Sequence, residues 1–132
     1  MQRRTFSTGT PWEKTVAYSR AVRVDSHIFI SGTTASNSDG TTVAVGNAYE
    51  QTVFVLKKIE AALSQVGAKM SDVVRTRMFV TDIGRWEEFG RAHGEFFAGI
   101  DPAATMVEVR RLINPDHLIE MEVDAVIAAE NS

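Results

Sequence analysis

The stretch that decides the fold is NAYEQTVFVLKKIEAALSQVGAKMSDVVRTRMFVTD, residues 47–82. Its first half carries apolar side chains at a helical period, and they share one stripe: Val55, Leu56, Ile59, Leu63 and Val66. Gly67 follows where a helix C-cap glycine belongs. Beyond it the side chains alternate with a period of two. The stretch therefore predicts a helix from about Asn47 to Val66 and a strand from Val73 to Thr81.

A β-hairpin is predicted upstream of this helix. The apolar residues Ala21, Val22 and Val24 precede Asp25-Ser26, a pair of short polar residues typical of a turn, and a second strand starts at His27. We expect Gly32 to end that second strand. Two further short strands are open alternatives, one over residues 2–7 and one over residues 41–45.

A second helix and two strands are predicted downstream. The helix begins at Asp82 or Gly84 and runs to about Ala98, because aromatic residues recur there at helical spacing and Asp101-Pro102 then breaks the pattern. The two closing strands are predicted over Thr105–Arg111 and Leu118–Ile127.

The last predicted strand has two unlike faces. Its apolar face comprises Ile119, Met121, Val123 and Ala125, and its acidic face comprises Glu120, Glu122 and Asp124. Two helices that follow strands at these intervals pack on one face of a sheet, which predicts an α/β (α+β) fold. The acidic face is then either solvated or closed by symmetric assembly of several copies. The chain, residues 1–132, has the length of one domain.

Composition excludes several classes of function. The chain has no cysteine, which excludes disulfides and thiolate chemistry. Its net charge is −3, with no basic run beyond two residues, so we expect no nucleic-acid partner. His27, His93 and His117 are too scattered for a metal site. We find no signal peptide and no membrane-spanning apolar run, so a cytoplasmic protein without membrane contact is expected.

Several motifs in order resemble the Rid family, the reactive-intermediate deaminases also called YjgF-type or endoribonuclease L-PSP-like proteins. They are Ile30-Ser31-Gly32, Val66-Gly67-Ala68, Val73 to Asp82, Asp101-Pro102-Ala103, Met106-Val107-Glu108-Val109 and Ile119-Glu120-Met121-Glu122. The resemblance covers nearly the whole chain. It implies a chorismate-mutase-like (Bacillus-type) fold with a mixed sheet and two helices on one face.

The resemblance also implies assembly and chemistry. Family members form homotrimers whose sheets line a central barrel, with a small-molecule cleft between each pair of subunits. Active members hydrolyse enamines and imines to a carbonyl compound and ammonia, and they use no cofactor. By the same resemblance, Glu120 orients or deprotonates the attacking water. Tyr18 closes the cleft, while Ser31 and Gly32 approach the ligand. From the residues alone, each of these also fits an ordinary strand or turn position.

Position 104 departs from the family pattern. Deaminating members carry there an arginine that grips the substrate carboxylate, and this chain has Ala104. Arg110 shares the strand face of Ala104 but lies six residues away, about 20 Å along a strand, and Arg111 has the opposite parity. With Ala104 and Met106 lining it, the cleft is expected to favour a neutral or cationic ligand over a small carboxylate.

A second departure falls on the second predicted helix. Active members offer an asparagine to the neighbouring cleft, and Gly90 occupies that position here. Arg91 and His93 flank it and are candidates to supply charge across the interface, although a solvated helix face is the simpler interpretation of both.

Three functions stay open at the level of sequence. The first is hydrolysis of an imine or enamine at Glu120. The second is a non-catalytic sensor or carrier that uses the same cleft. The third, ribonuclease or translation-inhibitor activity, is least favoured because the chain is acidic.

Overall fold

The protein, described by a computed structural model over residues 1–128, is built on one six-stranded sheet. The strands are β1 (Arg3–Phe6), β2 (Ala21–Val24), β3 (His27–Thr34), β4 (Val73–Val80), β5 (Ala103–Glu108) and β6 (Ile119–Val126). Their order across the sheet is β1-β2-β3-β6-β4-β5. The pair β4 and β5 is parallel and the other four pairs are antiparallel, so the sheet is mixed.

Three helices accompany the sheet: α1 (Pro11–Val16), α2 (Ala48–Gln65) and α3 (Trp86–Phe97). The side chain of Asn47 caps α2 by accepting from the backbone N–H of Glu50, which satisfies one of the free donors at the helix start. Gly67, at φ +84°, ends it in the left-handed region that glycine adopts without strain. The predicted helix over residues 47–66 is therefore confirmed at both ends.

The core lies between the sheet and the helices α2 and α3. The inner face of α2 packs Val55, Leu56, Ile59 and Leu63, all fully buried, against the sheet. Burying each such side chain contributes about 1.5–3 kcal/mol, so this stripe fixes the helix on the sheet. The apolar side chains of β6 lie beneath it, and the acidic side chains of β6 face away. The predicted layout of two helices on one face is confirmed.

Two predicted strands need correction. The structure has no strand at residues 41–45, where Thr42 forms only an isolated bridge with Ser36. β5 spans Ala103–Glu108 and ends before Arg111, because β4 offers no partner beyond Val80.

Bulges account for two further differences. β3 continues through Gly32 to Thr34, with a register shift between Ile30 and Thr33 that one extra residue creates. A similar shift near the start of β4 turns Val74 outward, where it is 46% exposed, although alternation predicts it inside.

Helix α1 was not predicted, because six mostly polar residues carry no apolar period. Thr10 caps it, and Glu13 completes a capping box by accepting from the Thr10 backbone. Pro11 occupies the first helical position, where its missing N–H costs nothing. The helix ends at Ala17, whose φ of 68° turns the chain toward β2.

Within residues 1–128, no helix is long and apolar enough to cross a membrane.

Candidate functional site

Glu120 lies on the sheet face that the helices leave open. It is half-buried, and its carboxylate takes part in no hydrogen bond or ion pair with residues 1–128. Burial raises the pKa of this carboxyl, the charge of Arg20 lowers it, and the charge of Glu122 raises it further. A half-buried, unpartnered carboxyl with a raised pKa has the properties of a general base that works near neutral pH.

Gly32 makes room for this carboxylate. A Cβ built on Gly32 would lie 2.6 Å from Oε2 of Glu120, closer than real contacts allow. The bulge in β3 brings Thr34 opposite Glu120 in register and leaves the Gly32 backbone against the carboxylate. Gly32 and Glu120 are therefore neighbours.

Arg20 joins the same group, and the sequence analysis did not single it out. Its Nη2 donates to the carbonyl oxygen of Gly32 at 2.8 Å, and its Cζ lies 5.5 Å from the centre of the Tyr18 ring. Arg20 thus connects Tyr18 on one side with the Gly32 and Glu120 pair on the other. This group of residues therefore includes a cation, Arg20.

Tyr18 and Ser31 line an open groove of about 520 Å³ between α1 and the first two strands. Tyr18 follows the left-handed Ala17, its backbone N–H donates to the carbonyl oxygen of Glu13, and its side chain is partly exposed. The Ser31 hydroxyl donates to the carbonyl oxygen of Ser19 at 2.5 Å, which commits its proton to the loop. The groove does not include Glu120, which lies beyond Gly32.

Glu13 holds the helix that presents Tyr18. It is only 4% exposed, and its carboxylate accepts from the hydroxyls of Ser7, Thr8 and Thr10 and from the Thr8 backbone. Burial raises the pKa of Glu13, but these donors together outweigh burial and lower it to about 2. The position of Tyr18 therefore depends on one buried carboxylate.

Ala104 and Met106 lie on the other side of the sheet from Glu120. Ala104 pairs in register with the buried Thr76, whereas Glu120 pairs with Phe79 on the open face. In the sheet, Ala104 and Glu120 are two strands apart and offset by three residues along the strand direction. Their Cα atoms are therefore about 14 Å apart. The two residues do not share a cleft within one chain.

Arg110 and Arg111 do not approach either group. Both follow the end of β5 and are exposed.

The remaining candidates, Gly90, Arg91 and His93, lie on helix α3. A Cβ on Gly90 would touch only Trp86, at 3.9 Å, so the space beside Gly90 is open. The guanidinium of Arg91 stacks 4.1 Å from the ring centre of Tyr49 on α2. This contact holds the Arg91 side chain on the outer surface of the helices. Gly90 leaves a gap that Arg91 does not fill.

His93 contacts Thr76, the register partner of position 104. Its Nε2 lies 2.8 Å from the hydroxyl of Thr76, the register partner of Ala104, and its ring packs 4.7 Å from that of Phe97. Burial lowers the pKa of His93, so the ring is held neutral. His93 is therefore a neutral hydrogen-bonding group at Thr76, which pairs in register with position 104.

We expect His93 to make the fold sensitive to acid. Its pKa is lower in the folded chain than in the unfolded one, so its contribution to stability is full above about pH 6.5 and decreases as the pH falls below it. His93→Gln should reduce the loss of stability between pH 7.5 and 5.5, as measured by urea unfolding at each pH. His27→Gln, at an exposed histidine, is the matched control; an equal effect of both variants would contradict the expectation.

Metal binding has no support in the described part of the chain, residues 1–128, where no group of three metal-ligating side chains converges. Glu120, Glu122 and Asp124 are spread along one strand, and Arg77 forms ion pairs with the last two at 3.3 and 3.2 Å.

Comparison with known proteins decides the family. The family model described as Endoribonuclease L-PSP matches residues 10–127, almost the whole chain. The chain belongs to the endoribonuclease L-PSP family. The predicted membership of this family, known also as YjgF and Rid, is thereby confirmed.

Relatives and solved structures of the L-PSP family agree with this. A RutC family protein of Pyrococcus abyssi is 34% identical over 108 residues, with 82% of this chain and 84% of that protein covered. A YjgF family crystal structure from Mycobacterium tuberculosis is 44% identical, with a TM-score of 0.87 over 96% of this chain and all of that one. The Rid family protein YyfA of Yersinia pestis is 30% identical, with a TM-score of 0.84 over 96% of this chain and all of that one.

Proposed function

We propose that this L-PSP family member binds a small metabolite in a cleft shared between subunits and hydrolyses an imine or enamine there, with Glu120 as general base. The observation that carries the proposal is the Glu120 carboxylate, half-buried, free of partners within residues 1–128, and set against a glycine that leaves room for a ligand.

The reaction follows from these groups. The imine reacts in its form protonated on nitrogen. Glu120 accepts a proton from water as the water oxygen bonds to the imine carbon, which gives a neutral carbinolamine. Glu120 then passes that proton to the nitrogen, and the C–N bond breaks as the hydroxyl proton returns to the carboxylate, which releases the carbonyl compound and ammonia. An enamine first takes a proton on carbon to become the imine. No redox step and no cofactor are needed.

A shared cleft requires a second copy of the chain. Glu120 and Ala104 lie on opposite sheet faces, so a cleft that contains both takes one from each of two neighbours. The open face also carries apolar surface that suits an interface, since Phe29 is 46% and Val107 42% exposed. The proposed assembly is the homotrimer that the Rid resemblance implies, and sedimentation equilibrium at micromolar concentration tests it.

We propose that Ala104 shifts the ligand preference away from small carboxylates. A hydrogen bond to a charged group contributes about 1.5–3 kcal/mol, so the absent arginine costs roughly tenfold or more on such ligands. The neutral His93, at the register partner of position 104, offers a hydrogen bond in place of that charge.

Ala104→Arg should raise kcat/KM for imines of small amino acids by about tenfold relative to neutral imines. Ala104→Gln, which adds a side chain without the charge, should leave that ratio near the wild-type value. A gain of equal size in both variants would show that charge is not the cause.

The direct test of the proposed function is ammonia release. Imines of neutral, cationic and acidic amino acids would be generated in situ by an amino-acid oxidase, and imines without a carboxylate by an amine oxidase. The decay of both sets would be followed with and without the protein. We expect decay to accelerate, most strongly for imines without a free carboxylate. Saturable binding of the same compounds without any acceleration would support the alternative, a sensor or carrier. Cleavage of a labelled RNA, the least favoured activity, would overturn the proposal if it were lost in Glu120→Gln.

A further inference from the structure

Arg20 lies where three segments of the candidate site meet. It donates from Nη2 to the Gly32 carbonyl oxygen at 2.8 Å and from Nη1 to the Thr33 hydroxyl at 3.4 Å. Its Cζ lies over the Tyr18 ring at 5.5 Å. Its Nε is buried and has no hydrogen-bond partner within residues 1–128. A guanidinium held this way stays at one place in the fold, although burying a donor without a partner costs free energy.

Gly32 connects Arg20 to Glu120. The carbonyl oxygen of Gly32 accepts from the guanidinium, while the Cα side of the same residue touches the Glu120 carboxylate. The cation and the carboxylate therefore lie on either side of one bulged residue, and they do not form an ion pair. This arrangement lets the charge act on Glu120 without blocking its oxygens.

The other charged groups near Glu120 either carry the same negative charge or already form hydrogen bonds or ion pairs with other residues. Glu122, next on the same face, repels the charge of Glu120, and Arg77 is paired with Glu122 and Asp124. Lys58 of α2 donates to the carbonyl oxygens of Thr34 and Ser36, with Thr34 the register partner of Glu120.

We propose that Arg20 is a positioning residue of this site: it fixes the bulge of β3 at Gly32 and sets a positive charge beside the Glu120 carboxylate. The inference rests on the proposed function for the role of Glu120 as base. The electrostatic coupling between Arg20 and Glu120 can be measured even if the protein has no catalytic activity. The proposal about Arg20 and the proposed function can therefore fail separately.

The test is the titration of the Glu120 carboxyl, followed by carbon-13 NMR and assigned with Glu120→Gln. Arg20→Gln should raise the pKa of Glu120 by about one unit, because a nearby positive charge favours the carboxylate. Arg20→Lys keeps the charge and should raise it by less than half as much. Arg77→Gln, at a cation on the sheet face that carries Glu120, is the matched control and should raise it least.

A second measurement uses unaltered Arg20, in case Arg20→Gln does not fold. The nitrogen-15 shift of Arg20 Nε in the wild-type protein should titrate with the pKa of Glu120, and this titration should vanish in Glu120→Gln. If the protein is active, the acidic limb of its pH–rate profile should move in Arg20→Lys in step with the NMR pKa. The proposal would be overturned if the Arg20 Nε shift did not change as Glu120 titrates. It would also be overturned if the pKa of Glu120 were the same in the wild type and in a folded Arg20→Gln variant. If Arg20 and Glu120 are coupled but the protein releases no ammonia, the result would contradict the proposed function and leave the proposal about Arg20 intact.

Discussion

Replacing Glu120 by glutamine is expected to lower ammonia release by about 100- to 10,000-fold, the range that a general base contributes. Glutamine keeps the size of the side chain beside Gly32 but cannot accept the proton of water. The loss should fall on kcat, with KM little changed, because the amide still fills its place. Steady-state kinetics on the best imine of the panel would measure both constants.

Glu122→Gln is the matched control for this experiment. Glu122 lies on the same strand and the same face, but it forms an ion pair with Arg77 and is not placed against Gly32. Its replacement should change kcat less than about threefold. Equal losses in the two variants would point to the charge of the whole face and would remove the special role of Glu120.

Stability distinguishes a chemical loss from an unfolded variant. The pKa of Glu120 is raised in the folded chain, so the folded state holds this proton more tightly than the unfolded state does. The contribution of Glu120 to the free energy of unfolding therefore decreases as the pH rises from the ordinary pKa near 4.5 through the raised pKa. Glu120→Gln removes that cost and should be at least as stable as the wild type at pH 7.

Replacing Glu13 by alanine should cost about 3 kcal/mol of stability, although the site itself is not touched. The change leaves the hydroxyls of Ser7, Thr8 and Thr10 without their shared acceptor, and hydrogen bonds to a charged group contribute about 1.5–3 kcal/mol each, without full additivity. Urea unfolding at pH 7 measures the loss. Lys14→Ala, at the exposed next residue of α1, is the control and should change stability by less than about 0.5 kcal/mol.

The contribution of Glu13 should also depend on pH with a known sign. Its pKa is lowered from 4.5 to about 2, so its stabilisation is full above 4.5 and is lost as the pH falls toward 2. The difference between wild type and Glu13→Ala should therefore shrink steadily over that range. A difference that stays constant, or is below 1 kcal/mol at pH 7, would mean that the carboxylate does not hold α1.

Strong periodicity made most of the fold predictable. Helix α2 was recognisable from its apolar stripe, from Asn47 before it and from Gly67 after it. The two faces of β6 followed from strict alternation. Helix α1 was missed because its stability comes from side-chain hydrogen bonds to Glu13, a local network with no apolar period. The bulge at Gly32 depends on which strand pairs with which, and a single sequence does not contain that pairing.

The site was predictable only in part for a related reason. Glu120, Gly32 and Tyr18 matched a family motif, and the structure brings them together around Arg20. Arg20 itself lies in a loop between a helix and a strand, where no periodicity tells which way a side chain points. The one signal available was its place two residues after Tyr18.

The alternation in β6 has a consequence for how this chain tolerates changes of length. Its even residues carry the acidic face and its odd residues the core. A single-residue insertion within β6 would turn Glu120 under the helices and Met121 out to solvent, which destroys packing and chemistry together. Residues 110–115 lie outside the strands and can gain or lose residues with little effect on the sheet. Variation in length among homologous chains should therefore collect in that segment and spare the strand.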